Sequence, residues 1–225
     1  MRKIEFANEE YYHIFNRGVD KRNIFIDTRD YERFLLAMDL LNDENDGLMI
    51  GWRDYKKSNP KSSLKDFLKL GFRKRESLIE IIAYCLNPNH YHFILKQEKD
   101  KGIEKFMHKI GVSHSKYFNK KNKRSGSLFQ GKFKAVHIDS NEYLLYLSAY
   151  VNKNNFIHGY NNSNWKYSSL AEYEKENDQE NKLCNTVPIL EQFKDKKDYM
   201  EFLNDNALYL KDKKEEGKYL LEENS

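Results

Sequence analysis

The chain has 225 residues, and its 39 Lys and Arg against 35 Asp and Glu give a formal net charge of +4. This length suits one domain of about 150 to 170 residues with an appendage. The two cysteines, Cys85 and Cys184, have no C-x-x-C partner, which argues against a disulfide framework or a cysteine zinc site. No run approaches the roughly 18 apolar residues of a membrane span, so we expect a soluble, cytoplasmic protein.

Charge is distributed unevenly along the chain. Residues 101–136 hold ten Lys or Arg and one acidic residue, a net charge of +9, whereas residues 171–225 hold nine Lys and fifteen acidic residues, a net charge of −6. The basic segment also contains the aromatic residues Phe106, Tyr117, Phe118, Phe129 and Phe133. Cations bind the phosphates of a nucleic acid, and aromatic rings stack on its unstacked bases, so this composition predicts a nucleic-acid surface. The alternative is a solvated helix face whose aromatic side chains belong to the core.

The first elements in chain order are a strand and a helix. Residues 10–19 alternate as in a strand, and residues 29–43 have the spacing of an amphipathic helix. Residues 44–76 mix polar and turn-forming residues, with a short helical patch near 63–70. We interpret them as an insertion into the domain and assign no chemistry to them.

The next two β-rich runs, residues 77–86 and 90–97, are separated by Asn-Pro-Asn, which predicts a hairpin. His90 and His92 lie in the second run, two residues apart, so both imidazoles leave the same face of the strand and can share one metal ion. The alternative is a polar strand face with one satisfied ring. His13, on the first strand, could approach the same sheet face, and we interpret it as a structural hydrogen-bond donor rather than a ligand.

The remaining elements complete the predicted fold. A helix over 101–122 and a strand over 128–138 are followed by a helix that begins near Asp139. The order β-α-β-β-α-β-α predicts an α+β fold, with a ferredoxin-like or RRM-like antiparallel sheet and helices packed on it. We assign residues 1–170 to this domain. Residues 171–225 are predicted to be an acidic, helical C-terminal tail that packs on the domain or covers its basic surface.

The helix after the last strand carries two further candidates. Tyr150 and Asn154 are four residues apart, so on a continuous helix they lie one turn apart on the same face. Asn154 is a candidate third metal ligand, and Tyr150 is a candidate nucleophile beside the metal. The alternative is that Tyr150 packs in an aromatic stripe with Tyr143 and Tyr146.

Five segments resemble, in the same order, the single-tyrosine HUH transposases of small bacterial insertion sequences, and among these the REP-associated tyrosine transposases. The resemblance covers roughly residues 8–173 and rests on YYHIFNRGVDKRNIF, AYCLNPNHYHFIL, SLFQGKFKA, YLSAYVNKNNFIHGY and WKYSSLAEY. It departs from the family pattern at Asn155, because the helix commonly ends in Asn-Pro. It departs again at Asn87, because an apolar residue is usual before the proline.

The resemblance implies an enzyme, an HUH-type DNA transposase that acts as a single-strand DNA endonuclease and ligase in DNA transposition and recombination. His90 and His92 correspond to the metal-binding His-hydrophobic-His pair. Tyr150 corresponds to the attacking tyrosine, and Asn154 to the group that completes the metal site. The implied cofactor is a divalent metal, Mg or Mn, and the implied intermediate is a 5′-phosphotyrosine. The family also implies a bacterial cytoplasm.

The expected partners are single-stranded or hairpin DNA, without a membrane, and a homodimer is compatible with the family. Basic residues in the turn after the first strand and in the basic segment are the candidate DNA contacts. They are Arg17, Lys21, Arg22, Lys121, Lys123, Arg124, Lys132 and Lys134. A solvated surface is the alternative for the turn.

Two other functions stay open from the residues alone. A non-catalytic nucleic-acid binding module would stack bases on Tyr91, Phe93 and Phe133 of the sheet. A two-histidine metal hydrolase of small phosphoesters would need further Asp or His ligands. The binding module leaves nucleic acid unchanged, so formation of a covalent adduct distinguishes it from the transposase.

Overall fold

A four-stranded antiparallel sheet forms the centre of the computed structural model, which describes residues 4–71, 74–160, 165–175 and 183–216. The strands are β1 (Tyr11–Arg17), β2 (Ile79–Asn87), β3 (His90–Gln97) and β4 (Lys134–Ile138). They are ordered β2-β3-β1-β4, and each neighbouring pair is antiparallel. This is the order of a ferredoxin-like sheet, so the predicted α+β fold is confirmed.

Helices pack on the sheet or extend from it. Within the described ranges they are α1 (Thr28–Leu40), α2 (Leu48–Ser58), α3 (Leu64–Lys69), α4 (Gly102–Lys121), α5 (Asn141–Asn152), α6 (Asn154–Ile157), α7 (Leu170–Glu174), α8 (Val187–Leu190) and α9 (Lys196–Glu215). A capping box between Asp27 and Asp30 begins α1, as the side chain of each residue accepts from the other's backbone amide. No helix in the described part of the chain is long and apolar enough to cross a membrane.

The alternation of side chains along β3 divides the sheet into two faces. Tyr91 and Phe93 belong to the larger apolar core, together with buried residues of α1 and α4, and we call this side the apolar face. His90 and His92 point the other way. The ring of His92 meets Tyr150 of α5, and we call this side the histidine face.

The register of β1 against β3 determines which side chains of β1 join each face. Phe15 lies opposite His92, and Arg17 lies opposite His90. Directly opposed residues of an antiparallel pair share a face, so His13, two residues before Phe15, also lies on the histidine face. The two central strands therefore bring three histidines to the same side of the sheet.

The predicted insertion contains α2 and α3, and α2 packs on both α3 and α1. Leu48 and Phe67 form a small apolar cluster with Leu40 of α1, separate from the main core. The short helical patch predicted near 63–70 is confirmed as α3. The treatment of 44–76 as an insertion stays a prediction.

The C-terminal segment packs against the helices of the histidine face. Tyr199 of α9 is fully buried in a cluster with α5, and its hydroxyl accepts a hydrogen bond from Asn152 Nδ2 at 2.9 Å. The predicted division of the chain between 1–170 and 171–225 stays a prediction. Within the predicted tail, 176–182 and 217–225 lie outside the described residues.

The strand predicted over 128–138 is wrong in its first half, because β4 begins at Lys134. Leu128 and Phe129 instead turn into the apolar core and are almost completely buried. Phe129 makes an isolated bridge to Gly18 rather than a continuous ladder. Burial of these two apolar side chains favours this turn over further strand pairing.

Candidate metal centre and tyrosine site

The paired histidines lie where β3 begins, on the histidine face. Both side chains are buried, and their ring centroids are 5.2 Å apart. His13 joins them from β1, with its Nε2 atom 2.9 Å from Nδ1 of His92. One of these two nitrogens donates to the other, so His13 orients the imidazole of His92.

Hydrogen bonds around Asn89 determine the tautomer of His90. Asn89 Nδ2 donates to the Lys21 carbonyl at 3.1 Å, which identifies Oδ1 as the acceptor end of this carboxamide. His90 Nδ1 lies 2.5 Å from that oxygen, and the Tyr160 hydroxyl donates to it at 3.0 Å. His90 therefore carries its proton on Nδ1, and Nε2 has the lone pair that a metal ion requires.

Asn154 reaches His90 from a break between two helices. The prediction of one continuous helix through Tyr150 and Asn154 is wrong, since α5 ends at Asn152 and Lys153 leaves the helical conformation at φ −108° and ψ 15°. Asn154 begins α6, and its fully buried Oδ1 lies 3.1 Å from His90 Nε2. The two side chains still converge on the histidines, Asn154 on His90 and Tyr150 on His92.

The donor atoms fit a divalent ion that prefers oxygen and imidazole ligands. Two adjacent ligands at about 2.1 Å from an octahedral ion lie about 3.0 Å apart, which matches the 3.1 Å between His90 Nε2 and Asn154 Oδ1. Within the described ranges, no group of three or more His, Cys, Asp or Glu is arranged to hold a metal ion. A site at this position therefore needs the amide oxygen of Asn154 in addition to the histidines.

Tyr150 lies beside this donor set, with no exposed surface. Its ring meets His92 edge-on at a centroid distance of 5.3 Å and His13 at 5.9 Å. Tyr143 and Tyr146 of the same helix are half-buried at the edge of the neighbouring core, and burial raises the pKa of both phenols. Tyr150 is itself a buried member of that core, so the aromatic-stripe interpretation describes the packing of all three tyrosines. Tyr150 differs from the other two in that its ring also contacts the imidazoles of His92 and His13.

Lys153 caps the end of α5. Burial lowers the pKa of its ammonium group, and the charge of Glu174 opposes that shift only in part. Loss of a proton from a lysine becomes easier in such surroundings.

A cavity of about 290 Å³ opens onto the paired histidines. Three of the predicted DNA contacts, Arg17, Lys132 and Lys134, line it together with His90 and His92. Cations and imidazoles in one cavity suit a phosphodiester, because the cations attract its charge and the imidazoles lie next to its oxygens. Five of the predicted site residues are therefore brought together here.

The other predicted DNA contacts lie outside the cavity. Lys21 and Arg22 belong to the exposed turn after β1, where the Arg22 guanidinium pairs with Asp20 at 3.0 Å. Lys123 is exposed after the end of α4. They form part of the surface around the site.

Two of the predicted DNA contacts are held by other parts of the protein. Lys121 is paired with Asp27 at 2.8 Å and with the buried Asp30 at 2.5 Å. Arg124 donates to Asn119 Oδ1 at 2.6 Å and to the Ser127 carbonyl at 2.9 Å. The Lys121 ammonium group therefore connects α4 to the start of α1. The Arg124 guanidinium group connects α4 to the loop that follows it.

The prediction that aromatic residues of the basic segment stack on bases is wrong for most of them. Phe106, Phe118 and Phe129 are buried in the apolar core, as the alternative interpretation required. Tyr91 and Phe93, which the sheet-based binding module needs, are buried there as well. A ring without exposed surface cannot stack on a base.

Residues 55–154 match the family model described as Transposase IS200 like. The resemblance to the single-tyrosine transposases is thereby confirmed over this stretch, which includes His90, His92, Tyr150 and Asn154. The chain is also similar to a solved structure described as a REP-associated tyrosine transposase bound to a REP hairpin. That similarity covers 77% of this chain and 84% of the other, with 14% sequence identity and a TM-score of 0.49. No curated protein matches the chain.

His13 lies on the sheet face of the paired histidines, as the sequence allowed, and it hydrogen-bonds to Nδ1 of His92. Other residues at this site were not assigned to it from the sequence. Asn87, Asn89 and Tyr160 contact His90 or its partners. The sequence marked Asn87 only as a departure from the family pattern, because single polar residues near a turn have no distinctive spacing that would assign them to a site.

Proposed function

We propose that the protein is a metal-dependent, transposase-like enzyme that cleaves and rejoins single-stranded DNA through a 5′-phosphotyrosine intermediate. The observation that carries this proposal is the convergence of His90, His92, Asn154 and Tyr150 at one end of the histidine face, next to a basic cavity. The match to a transposase family model over the same residues supports it.

We assign the metal ligands to His90 Nε2, Asn154 Oδ1 and Nε2 of His92. The contact between His13 and Nδ1 of His92 supports the last choice, because a ligating histidine commonly uses its second nitrogen to bond a neighbour. These donors are neutral, so they suit an ion that keeps its double charge and open positions for substrate. When bound, Mg or Mn would polarise the non-bridging oxygens of the scissile phosphate.

Tyr150 is the proposed nucleophile. Its phenolic oxygen forms a bond to phosphorus while the bond from phosphorus to the 3′ oxygen breaks. The phenol releases its proton, and the leaving oxygen takes up a proton to become a free 3′-hydroxyl. The 5′ phosphate stays on Tyr150, so a later 3′-hydroxyl can reverse the step and rejoin DNA without ATP.

Access to the nucleophile requires a local movement, because Tyr150 has no exposed surface. The cavity already reaches His90 and His92, and the ring of His92 is in contact with Tyr150. We expect the Tyr150 side chain to turn toward the cavity when DNA binds. The helix break at Lys153, directly after α5, is a suitable position for such an adjustment.

The proposed DNA path begins with Arg17, Lys132 and Lys134, which line the cavity. Lys21, Arg22 and Lys123 extend the basic surface around it, whereas Lys121 and Arg124 contribute less because of their internal partners. The proposed ligands and nucleophile belong to one chain, so a homodimer is not needed to complete the site. Single-stranded or hairpin DNA is the proposed substrate.

The test is a covalent trapping experiment. Incubation with labelled hairpin-bearing single-stranded DNA and Mn²⁺ should give a protein–DNA species that survives a denaturing gel. Tyr150→Phe should abolish it, while Tyr143→Phe and Tyr146→Phe should retain it, since each removes only a hydroxyl. An adduct with Tyr150→Phe would show that another residue is the nucleophile. If wild type forms no adduct with several hairpin substrates, a non-catalytic binding module becomes the better account.

A further inference from the structure

The last residue of β2, Asn87, has its side chain inside the proposed metal site. It has no exposed surface. Its Nδ2 atom lies 2.9 Å from His90 Nε2 and 2.5 Å from Asn154 Oδ1, so it touches the same two atoms that we assign as metal ligands. On the other side, its Oδ1 atom accepts a hydrogen bond from the thiol of Cys85, with 3.7 Å between sulfur and oxygen.

We propose that Asn87 is a fourth metal ligand, which binds the ion through Oδ1 after its carboxamide turns by half a rotation. This inference rests on the proposed function, because it concerns the same metal site. The turn exchanges the positions of the amide nitrogen and oxygen, which have nearly the same size and shape. It brings an oxygen to the position now held by Nδ2, 2.9 Å from His90 Nε2, which matches the spacing of adjacent ligands. The 2.5 Å to Asn154 Oδ1 has to widen to about 3.0 Å when both oxygens bind the ion.

Metal binding itself requires this turn. The lone pair on His90 Nε2 now accepts a hydrogen bond from Asn87, and the same lone pair must bind the ion. An N–H group that faces a cation is repelled by it, whereas a carbonyl oxygen in the same place is attracted. After the turn, Nδ2 faces the sulfur of Cys85, which is a weak acceptor, so the only bond lost on that side is a weak one.

A ligand at Asn87 would also affect which metals bind. With His90, His92 and Asn154 alone, imidazole nitrogens outnumber oxygens among the protein ligands. A second amide oxygen makes the two kinds equal and moves the site toward hard cations such as Mg²⁺ and Mn²⁺. The affinity for Ni²⁺, which imidazole suits well, depends less on this oxygen.

The experiment measures metal binding by calorimetry in the full chain, with Mn²⁺ and separately with Ni²⁺. Asn87→Leu has as many heavy side-chain atoms as Asn but no oxygen. We expect it to weaken Mn²⁺ binding by about tenfold or more, with a smaller loss for Ni²⁺, and Asn87→Asp to bind Mn²⁺ at least as tightly as wild type. Asn141→Leu, at the exposed start of α5, is the matched control and should bind both metals as wild type does.

The outcomes separate this inference from the proposed function. If wild type binds Mn²⁺, His90→Ala loses it and Asn87→Leu binds it as tightly as wild type or more tightly, then Asn87 is not a ligand and the proposed metal site stands. If wild type does not bind Mn²⁺, or His90→Ala does not weaken binding, both ideas are wrong. Melting curves without metal establish that the variants fold. Should Asn87→Leu not fold, Asn87→Ala decides, because it also removes the oxygen and must weaken Mn²⁺ binding.

Discussion

The two faces of the sheet are both buried against apolar cores, but they differ in the side chains that the start of β3 contributes. On the apolar face, Tyr91 and Phe93 pack with Phe34 of α1 in an aromatic cluster. On the histidine face, His90 and His92 come from alternating positions of the same strand and are almost as well buried. One eight-residue strand thus supplies both a hydrophobic core and a candidate active site.

This difference shows how buried polar groups are tolerated. A buried imidazole or amide destabilises a fold unless it is hydrogen-bonded. On the histidine face, His13 hydrogen-bonds to His92, and Asn89 hydrogen-bonds to His90. Asn87 donates a further hydrogen bond to Asn154. Both sides of the sheet also contain a buried apolar core, so we infer that these cores supply the stability and that the polar network keeps its groups in fixed positions for chemistry.

The largest expected effect is the difference in stability between two neighbouring residues of β3. Phe93→Ala removes a fully buried ring from the apolar face and should lower the free energy of unfolding by about 3–5 kcal/mol. His92→Ala on the histidine face removes a hydrogen-bonded ring and should lower it by about 1–2 kcal/mol. Urea denaturation of both variants measures the two values. Equal losses would mean that the buried imidazole of His92 contributes to stability as much as the ring of Phe93 does.

The next prediction concerns pH and the buried His114 on the apolar side. Burial lowers the pKa of its imidazole to about 4, while Nε2–H donates to the Ile24 carbonyl at 2.8 Å. In the unfolded chain this histidine takes up a proton below about pH 6.5, whereas the folded protein resists protonation until about pH 4. The contribution of His114 to the free energy of unfolding is therefore fully present above about pH 6.5. It decreases as the pH falls toward 4, by up to about 3 kcal/mol.

Chemical denaturation at a series of pH values measures that loss. His114→Gln keeps an N–H donor for the Ile24 carbonyl but does not titrate, so its stability should vary less with pH over the same range. His108→Gln, at an exposed position on α4, is the matched control. A pH dependence that is the same in wild type and His114→Gln would contradict the assignment.

A smaller effect is expected where α9 supports the tyrosine helix. Tyr199→Phe removes the hydroxyl that accepts from Asn152 Nδ2 at 2.9 Å, which leaves a buried amide without this acceptor. The free energy of unfolding should fall by about 1–2 kcal/mol. Tyr209→Phe makes the same change at an exposed position of α9 and should have little effect. Thermal and urea denaturation compare the two, and equal effects would rule out a role for the buried hydrogen bond.

The smallest effect should come from single cations at the cavity. Lys132→Ala should weaken binding of a hairpin-bearing single strand several-fold and reduce the salt dependence by about one phosphate contact, a slope of about 0.7. Lys57→Ala, exposed on α2, is the matched control and should change neither value. Fluorescence anisotropy at several salt concentrations measures both. A loss that does not depend on salt would show that Lys132 acts through something other than phosphate charge.

The sequence by itself determined the elements that depend on local pattern. Alternation along β3 gave the strand and the shared face of His90 and His92, and Asn-Pro-Asn gave the hairpin that precedes them. The order of strands and helices gave the ferredoxin-like sheet. These features follow from the repeat of side-chain direction along a strand or a helix, every two or about four residues, which is visible in the sequence.

Only the tertiary structure decided which distant side chains meet. The register of β1 brings His13 to His92, and the break at Lys153 redirects Asn154 toward His90. The pairing of Lys121 with Asp27 likewise joins α4 to the start of α1. Such contacts depend on how elements far apart in the chain pack together, and packing is set by the shape and burial of the whole core rather than by the spacing of residues along one segment.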